Sequence, residues 1–294
     1  MKKLRLAIFT NSKRSINVIN FFLKKKDLSI ENIYLLKSYK NFNKLIKKRL
    51  GKKVSFKTFD NFESKTFLNN LYNKNLDFII IPGFPKLIPN EIINYPKFGS
   101  INLHGGKLPE YRGGSPLNWQ IINGEKKIGI SCIKANSKFD QGYIINSKNF
   151  KLNKFETIKD AHEKANKIFP ILAYNSIKKI LNGFKGKKQI QKMANYYKQR
   201  TDNDSRINLK DNINNIFNFV RALTTPYKGS YLFYKNTKIR IHKIKIDSYK
   251  KNIKEIGKII KIKNDKPYII CKNGIIQLIK FESKKKFLVG SFVK

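Results

Sequence analysis

The sequence predicts an α/β domain built on a parallel sheet, followed by a smaller β domain. Three observations predict this fold class. Short apolar runs alternate with segments of helical periodicity through the first part of the chain, as strands and helices of a parallel sheet do. A polar, charged segment then interrupts the pattern at 185–206. After one more helix, short β-like runs follow with turn residues between them, which is typical of a small barrel or sandwich.

The α/β domain begins with Leu4–Phe9, a short apolar run. It leads through a polar turn into a segment of helical spacing, as expected for a strand entering a helix. The helix that ends at Leu181 is closed by Asn182 and Gly183, a common helix stop. Strands are predicted at Leu4–Phe9, Glu31–Leu36, Val54–Phe59, within LDFIIIPGF, at Gly99–His104, at Ile128–Ala135 and, after a turn, within Phe139–Ile145. Helices are predicted at Ile16–Leu23, Phe42–Leu50, Phe67–Tyr72, Leu117–Ile122 and Thr157–Leu181.

A helix at Asn212–Leu223 introduces the β domain. The strands predicted after it are the runs SYLFY, KIRIHKIKI, IGKIIKIK, PYIICK and GIIQLIKFE. We therefore predict an N-terminal domain at 1–190, a linker at 191–205 and a C-terminal β-barrel-like domain at 206–294.

Composition excludes several classes of protein. With 40% hydrophobic and 13% aromatic residues, this chain of 294 residues can form a core, which argues against a disordered basic tail. Cys132 and Cys271 lie far apart and outside any CxxC or CxxH spacing, so the sequence predicts no metal. Because no stretch reaches the roughly 18 uninterrupted apolar residues of a membrane span, we expect a soluble cytoplasmic protein with no membrane partner.

The charge balance is strongly basic. Lys and Arg number 63 against 19 Asp and Glu, which gives a formal net charge of +44. A basic surface attracts the phosphates of nucleic acids. The lysines are nevertheless spread from Lys2 to Lys294 among abundant Asn and Ile, a pattern that A/T-rich codon usage also produces. Charge alone therefore does not decide the function.

Polar side chains collect where predicted strands end, and this is where ligands of an open parallel sheet bind. Asn102 and His104 end the strand Gly99–His104 and share one face of it, because side chains alternate along a strand. Asp140 follows a later β-rich run, in the turn FDQG. A lone histidine after a strand is more often structural than catalytic, and an Asp before a Gly is often only a turn residue. The functional alternative is a carboxylate that orients an imidazole.

A longer signature surrounds these residues. The segment INLHGGKLPEYRGGSPLNWQIINGEKKIGISCI, followed by FDQGYII, resembles the central signature of the 10-formyltetrahydrofolate-dependent formyltransferases. Downstream, FNFVRALTTPYKGSYLFY resembles the entry to that family's C-terminal barrel. The resemblance implies a Rossmann-like α/β domain, with a parallel sheet, and a small OB-like β-barrel domain.

The resemblance also implies a reaction and its residues. The family moves a formyl group from 10-formyltetrahydrofolate, as co-substrate, to a primary amine, and its catalytic Asn, His and Asp fall on Asn102, His104 and Asp140. Asn102 and His104 would donate to the developing oxyanion, while Asp140 would orient His104 and assist proton removal. No metal or nicotinamide is implied, and the first strand is not followed by GxGxxG.

Further site residues follow by analogy with the family. Lys107 and Arg112 are candidates for contact with the phosphates of the acceptor. The residues expected to bind the folate are Phe84, Lys86, Leu87, Gly105, Leu108 and Asp140.

Enzymes of this family differ in the molecule that accepts the formyl group. The tRNA enzymes carry a basic loop rich in Pro, Gly and Arg after the second strand and SLLP in the site loop. Here LLKSYKNFNKLIKKRLGKK and Gly105–Pro109 stand in those places, and they favour a nucleotide-linked amino sugar as substrate. The alternative is initiator methionyl-tRNA, which the charge keeps open. A second alternative is a catalytically inactive, nucleic-acid-binding relative. A homodimer is a further expectation, since sugar enzymes of this kind are often dimers.

Overall fold

The computed structural model describes residues 2–250 and 254–294. The strands are β1 Leu4–Phe9, β2 Leu28–Leu36, β3 Phe56–Phe59, β4 Phe78–Ile81, β5 Ser100–His104, β6 Arg112–Gly113, β7 Lys127–Lys134, β8 Ile144–Lys151, β9 Tyr196–Tyr197, β10 Ser230–Tyr234, β11 Thr237–Tyr249, β12 Ile259–Lys263, β13 Lys266–Cys271 and β14 Gly274–Glu282. The α-helices are α1 Arg14–Phe22, α2 Lys40–Leu50, α3 Lys65–Tyr72, α4 Asn90–Asn94, α5 Pro116–Ile122, α6 Ile158–Leu181 and α7 Ile213–Leu223.

The chain packs as two units. The first comprises Met1–Gly113, Gly129–Phe150 and Glu163–Tyr196. The second comprises Gly114–Ile128, Lys151–His162 and Tyr197–Lys294. The domain boundaries at 190 and 206 stay a prediction.

The first unit is built around a seven-stranded sheet with the order β3-β2-β1-β4-β5-β7-β8. The five strands from β3 to β5 are parallel. Every residue of β4 is buried, as expected for a central strand covered on both faces. The predicted fold class, an α/β domain on a parallel sheet followed by a β domain, is confirmed.

Two features of this sheet differ from the expectation. β7 pairs with β5 in the antiparallel direction, from Ile101 opposite Lys134 to His104 opposite Ser131, so the sheet is mixed beyond β5. An apolar run looks the same in either direction, and only the path of the connection sets its sense. The second difference is the short helix α4, which lies between β4 and β5 where no helix was predicted.

The second unit contains α7 packed on a five-stranded antiparallel sheet with the order β10-β11-β14-β13-β12. The predicted helix and β runs are therefore confirmed in order. A closing segment, residues 290–294, joins the two edge strands. On one side Phe233 and Lys294 exchange backbone hydrogen bonds, and on the other the N–H of Val293 donates to Gly257 O at 2.9 Å. This segment closes the sheet around a core of buried aliphatic side chains.

Both cysteines are buried, and burial raises the pKa of each thiol to about 12. Within residues 2–250 and 254–294, no three His, Cys, Asp or Glu side chains cluster as metal ligands. No α-helix in the same part of the chain is both long and apolar enough to cross a membrane.

Candidate active site

Strand β5 places Asn102 and His104 at the carboxyl end of the parallel part of the sheet. The side chain of His104 is only 6% exposed, and Asn102 is partly buried. The residue between them, Leu103, is buried in the core. The alternation of side chains along the strand thus gives the two polar groups a common face and leaves the other face to packing.

Asp140 lies in a turn and has a backbone conformation that is uncommon for residues other than glycine. Its φ of 55° lies in the left-handed region, which residues with a Cβ rarely adopt. Gly142 follows so close to β7 that a Cβ there would lie 1.6 Å from the carbonyl oxygen of Lys134. The turn therefore needs glycine at 142, and its tight approach to β7 directs the Asp140 carboxylate toward β5.

The three predicted catalytic residues meet in one hydrogen-bonded cluster. Asn102 Nδ2 donates to Asp140 Oδ1 at 3.1 Å, and His104 Nδ1 lies 3.1 Å from the same oxygen. The other carboxylate oxygen, Oδ2, accepts the backbone N–H of Gly113 at 2.9 Å. Asp140 is 9% exposed, so it is a nearly buried acid with three N–H donors around it.

These donors decide the ionisation of Asp140. Burial by itself raises the pKa of this carboxyl group, but the charge of His104 and the hydrogen bonds from His104 and Gly113 oppose it, and Arg112 adds to their effect. The net result is a pKa below the usual value of an aspartate. Asp140 is therefore a carboxylate, and it accepts rather than donates its hydrogen bonds at neutral pH.

Both ring nitrogens of His104 face acceptors. Nδ1 faces the Asp140 carboxylate, and Nε2 lies 2.6 Å from the carbonyl oxygen of Tyr111. A neutral imidazole carries one N–H and satisfies only one of these contacts, whereas a doubly protonated ring satisfies both. The Asp140 carboxylate and the Tyr111 carbonyl therefore hold the ring from both of its nitrogens.

Gly106 leaves the space that this ring occupies. A Cβ on Gly106 would lie 2.5 Å from His104 Nε2 and 2.4 Å from Tyr111 O. Gly105 and Gly106 are both buried, and Ser131 Oγ of β7 donates to the carbonyl of Gly106 at 2.9 Å. Glycine at position 106 is therefore a packing requirement of the histidine.

The residues expected to bind folate are in different environments. Phe84 is partly buried and packs against the rings of Phe9, Phe59 and Phe62 in the aromatic core. Lys86 and Leu87 are exposed in the connection between β4 and α4, whereas Gly105 and Leu108 are buried in the segment that follows β5. Their role in binding the folate stays a prediction.

The two residues proposed for phosphate contact also differ. Lys107 is exposed and pairs with Glu110 at 2.6 Å. Arg112 is 1% exposed, and its guanidinium donates to Gln189, to Gln191 and to the hydroxyl of Tyr196. The structure therefore places Arg112 in a buried network and Lys107 at the surface.

Gln189 is a site residue that sequence reasoning missed. It is 4% exposed, accepts from Arg112 and donates from Nε2 to Asp140 O at 2.8 Å and to Gly142 O at 2.7 Å. It lies in KKQIQK, a polar run with no motif, so no local signal in the sequence distinguishes it from the exposed Gln191.

Comparison with known families identifies the protein family of the chain that contains this cluster. A family model described as formyl transferase matches residues 18–171, which include Asn102, His104 and Asp140. A second model, described as formyl transferase, C-terminal domain, matches residues 200–294. The chain belongs to the formyltransferase family. The resemblance seen in the sequence is thereby confirmed, and so is its class as a family of formyl-transfer enzymes.

Relatives of this formyltransferase include proteins with different functions. It is 34% identical over 219 residues to the bifunctional polymyxin resistance protein ArnA of Wigglesworthia glossinidia brevipalpis, an alignment that covers 71% of this chain and 32% of ArnA. It is 31% identical over 236 residues to a methionyl-tRNA formyltransferase of Thermodesulfovibrio yellowstonii, covering 80% of this chain and 75% of the relative. The chain thus spans about a third of the length of the first protein and three quarters of the second.

Among solved structures, the formyltransferase is similar to an N-formyltransferase from Helicobacter canadensis in complex with folinic acid and dTDP-3-aminofucose. The TM-score is 0.67 at 18% identity, and the match covers 95% of this chain and 99% of that one. At this identity the match supports the fold.

Proposed function

We propose that this chain transfers the formyl group of 10-formyltetrahydrofolate to the amino group of a nucleotide-linked amino sugar. The observation that carries the reaction is the cluster in which Asn102 and His104 both contact the Asp140 carboxylate at 3.1 Å. Family membership supplies the class of reaction. The choice of acceptor rests on different features, the connection after β2 and the surface of α2.

The chemistry requires donors at the formyl oxygen and a route for one proton. The bond between the formyl carbon and the acceptor nitrogen forms, and the bond to the folate nitrogen breaks. The amine loses one proton, and the departing folate nitrogen takes one up, so that the products are a formamide and tetrahydrofolate. Asn102 keeps a second amide hydrogen beyond the one that contacts Asp140, and it can stabilise negative charge on the formyl oxygen. His104 can do so through Nε2 when the formyl oxygen replaces the Tyr111 carbonyl as the partner of this nitrogen. Each preorganised donor of this kind contributes roughly 3 kcal/mol.

Asp140 has two functions in this scheme. Its carboxylate holds His104 in one orientation and would stabilise a positive charge that forms on the ring during the reaction. It also provides a negative charge near the amine as the proton leaves, and general base catalysis of this type typically gives about 10² to 10⁴ in rate. Both functions need the ionised form, which the lowered pKa of Asp140 favours.

The residues present fit a folate co-substrate. The formyl oxygen is an acceptor of hydrogen bonds, and the cluster offers it the second amide hydrogen of Asn102 and, in exchange for the contact with Tyr111 O, the Nε2 of His104. Gly105 and Gly106 bring backbone rather than side chains to the end of β5. The folate would be held by the backbone around these glycines, by Asp140 and by the connection after β4, whereas its formyl group is what the reaction consumes.

The length of one connection supports the sugar as acceptor. β2 ends at Leu36 and α2 begins at Lys40, which leaves three residues, Lys37 to Tyr39, between them. The tRNA enzymes carry a basic loop rich in Pro, Gly and Arg at this place, and a connection of this length has no room for it. The fold neighbour from Helicobacter canadensis, whose structure holds dTDP-3-aminofucose, agrees with this choice.

Methionyl-tRNA is the second candidate acceptor, and a surface feature favours it. Helix α2 exposes Lys44, Lys47, Lys48 and Arg49, and the methionyl-tRNA formyltransferase of Thermodesulfovibrio yellowstonii is among the relatives. Cations grouped on one helix attract the phosphates of a nucleic acid. A nucleotide sugar carries far fewer phosphates and needs no such helix.

One assay separates the candidates. The protein is incubated with 10-formyltetrahydrofolate and either charged initiator tRNA or a panel of nucleotide-linked amino sugars, and tetrahydrofolate release is followed. Asp140→Asn serves as the control for background release. Turnover with a sugar supports the proposal, and turnover with tRNA alone overturns it in favour of the second candidate. Release at the control rate with every acceptor would contradict both enzyme functions.

A further inference from the structure

Gln189 uses all of its buried polar atoms within the site. Its Oε1 accepts two hydrogen bonds from Arg112, at 3.0 Å from Nε and 2.8 Å from Nη2. Its Nε2 donates to the carbonyl oxygens of Asp140 and Gly142, at 2.8 and 2.7 Å. One side-chain amide thus connects a buried guanidinium to both sides of the turn that carries the catalytic carboxylate.

The turn has a specific need for such a contact. Asp140 has φ of 55°, where a residue with a Cβ is rarely stable on its own. The direction of its carboxylate follows from this backbone conformation, because the side chain is short and has few rotatable bonds. By holding the carbonyls on both sides of Gln141, Gln189 fixes the backbone and therefore the carboxylate.

Arg112 holds the other side of the same carboxylate. The next residue, Gly113, donates its N–H to Asp140 Oδ2 at 2.9 Å, and the backbone N–H of Arg112 itself donates to Asn195 O at 3.0 Å. The Arg112 guanidinium is further fixed by the Tyr196 hydroxyl at 2.9 Å. The backbone of Asp140 and one of its carboxylate oxygens therefore both depend on the pair formed by Arg112 and Gln189.

The structure assigns Gln189 as a positioning residue that acts through Asp140, with Arg112 as its anchor rather than as a ligand of substrate phosphate. This inference rests on the formyl transfer proposed above. Gln189 holds Asp140 in the orientation that contacts His104, and its removal lets the turn relax and weakens the interaction between the two residues. An error of about 1 Å in the position of a catalytic group can cost about 10²-fold in rate.

Two matched substitutions test the assignment. Gln189→Glu keeps oxygen acceptors for Arg112 but removes the N–H donors to Asp140 O and Gly142 O. Gln191→Glu places the same new charge beside the same guanidinium, since Gln191 Oε1 accepts from Arg112 Nη1 at 3.0 Å, but Gln191 is exposed and makes no hydrogen bond to the turn. We expect kcat to fall about 10- to 100-fold in the first variant and to change less than about twofold in the second, with KM for the amine little changed in both.

A second measurement does not depend on turnover. Selective ¹⁵N-glycine labelling resolves the amides of 16 glycines, and Gly113 reports its hydrogen bond to the Asp140 carboxylate. Gln189→Glu should move the Gly113 amide proton upfield as this bond lengthens, and Gln191→Glu should leave it in place. In the background of Asp140→Asn, Gln189→Glu should cost little further activity, because two residues that act as a unit are not additive.

The outcomes are distinguishable. A lower kcat together with a moved Gly113 amide in Gln189→Glu alone supports the inference. Wild-type kcat and an unmoved amide in that variant overturn it, as does a full additional drop in kcat in the Asp140→Asn background. If the wild type itself gives no turnover with any acceptor while the Gly113 amide still responds, the proposed reaction fails and the contact between Gln189 and the Asp140 turn is retained.

Discussion

Among the individual residues, the proposed reaction depends most on Asp140, which must be ionised and oriented toward His104. Replacing it with asparagine removes the charge that stabilises the imidazolium, although the side chain keeps nearly the same size. We expect Asp140→Asn to lower kcat by about 10² to 10⁴ while the protein folds normally. Tetrahydrofolate release measures the rate, and circular dichroism checks the fold. Near wild-type turnover in a folded variant would show that the assignment of the site is wrong.

The ionisation of this carboxylate also predicts how the stability of the fold depends on pH. The folded state lowers the pKa of Asp140 below the usual value of about 3.9. Its ionised form therefore stabilises the fold above this value, and the contribution is lost as the pH falls through the lower, folded pKa. The difference in the free energy of unfolding between the wild type and Asp140→Asn should therefore shrink as the pH falls below about 4. A difference that grows as the pH falls would contradict this sign.

Gly106 gives a steric test of the histidine's position. In Gly106→Ala the new Cβ must displace either the His104 ring, at 2.5 Å from Nε2, or the Tyr111 carbonyl, at 2.4 Å. We expect kcat to fall about 10²-fold, since the ring cannot keep its place. Gly183→Ala is the control for stability: it has positive φ and open space around it, so it should cost about 1 kcal/mol of stability and no activity. Equal activities of the two variants would contradict the steric argument.

At the scale of the element, periodicity predicted most of the fold. β1 and β14 have the predicted bounds, and α7 begins one residue after the predicted start because Asn212 is its N-cap. The short helix α4 was missed because five residues are too few to show a helical period. The antiparallel direction of β7 was missed because β propensity has no direction.

The candidate site shows the same limit. Asn102, His104 and Asp140 could be placed because they stand beside strand ends and Gly turns within a known signature. Gln189 could not, because its role comes from two carbonyls and a guanidinium that lie 47 to 77 residues away in the chain. The burial of Arg112 could not be predicted either, because it depends on partners in a segment that looks like a polar connector.

The closing segment of the second unit makes a prediction at this scale. Val293 is 3% exposed in the core of that unit, whereas Val289, four residues earlier, is 61% exposed. We expect Val293→Ala to lower the free energy of unfolding by about 2 kcal/mol, because it removes buried apolar surface and leaves a cavity. Val289→Ala should change it by less than about 0.5 kcal/mol. Urea denaturation measures both, and equal effects would show that residues 290–294 do not close the sheet as described.

The protein as a whole carries a net charge of +44, whereas its candidate site is built around a negative carboxylate. The cluster needs one buried acid, and the described residues around it supply N–H groups rather than free cations. The lysines of α2 lie on its exposed face, while Asn43, Ile46 and Leu50 are buried on the other. The excess of positive charge is therefore a property of the surface, and only a polyanionic acceptor would use it.

Because the cations of α2 lie apart from Asn102, His104 and Asp140, the acceptor can be tested by reversing these charges and by varying the salt concentration. Reversing Lys47, Lys48 and Arg49 to glutamate alters the formal charge by −6 on the exposed face of α2 and leaves Asn102, His104 and Asp140 intact. With a nucleotide sugar, we expect kcat/KM to change less than about threefold, and to fall only weakly with salt, because few phosphates are bound. With tRNA, several phosphates would lose their cationic partners on α2, so kcat/KM would fall steeply. The slope of log kcat/KM against log salt would also become smaller, by about 0.7 to 0.9 for each phosphate that α2 no longer neutralises. If kcat/KM with a nucleotide sugar falls as steeply in this variant, the sugar binds at α2. That result would contradict a sugar site at the end of β5.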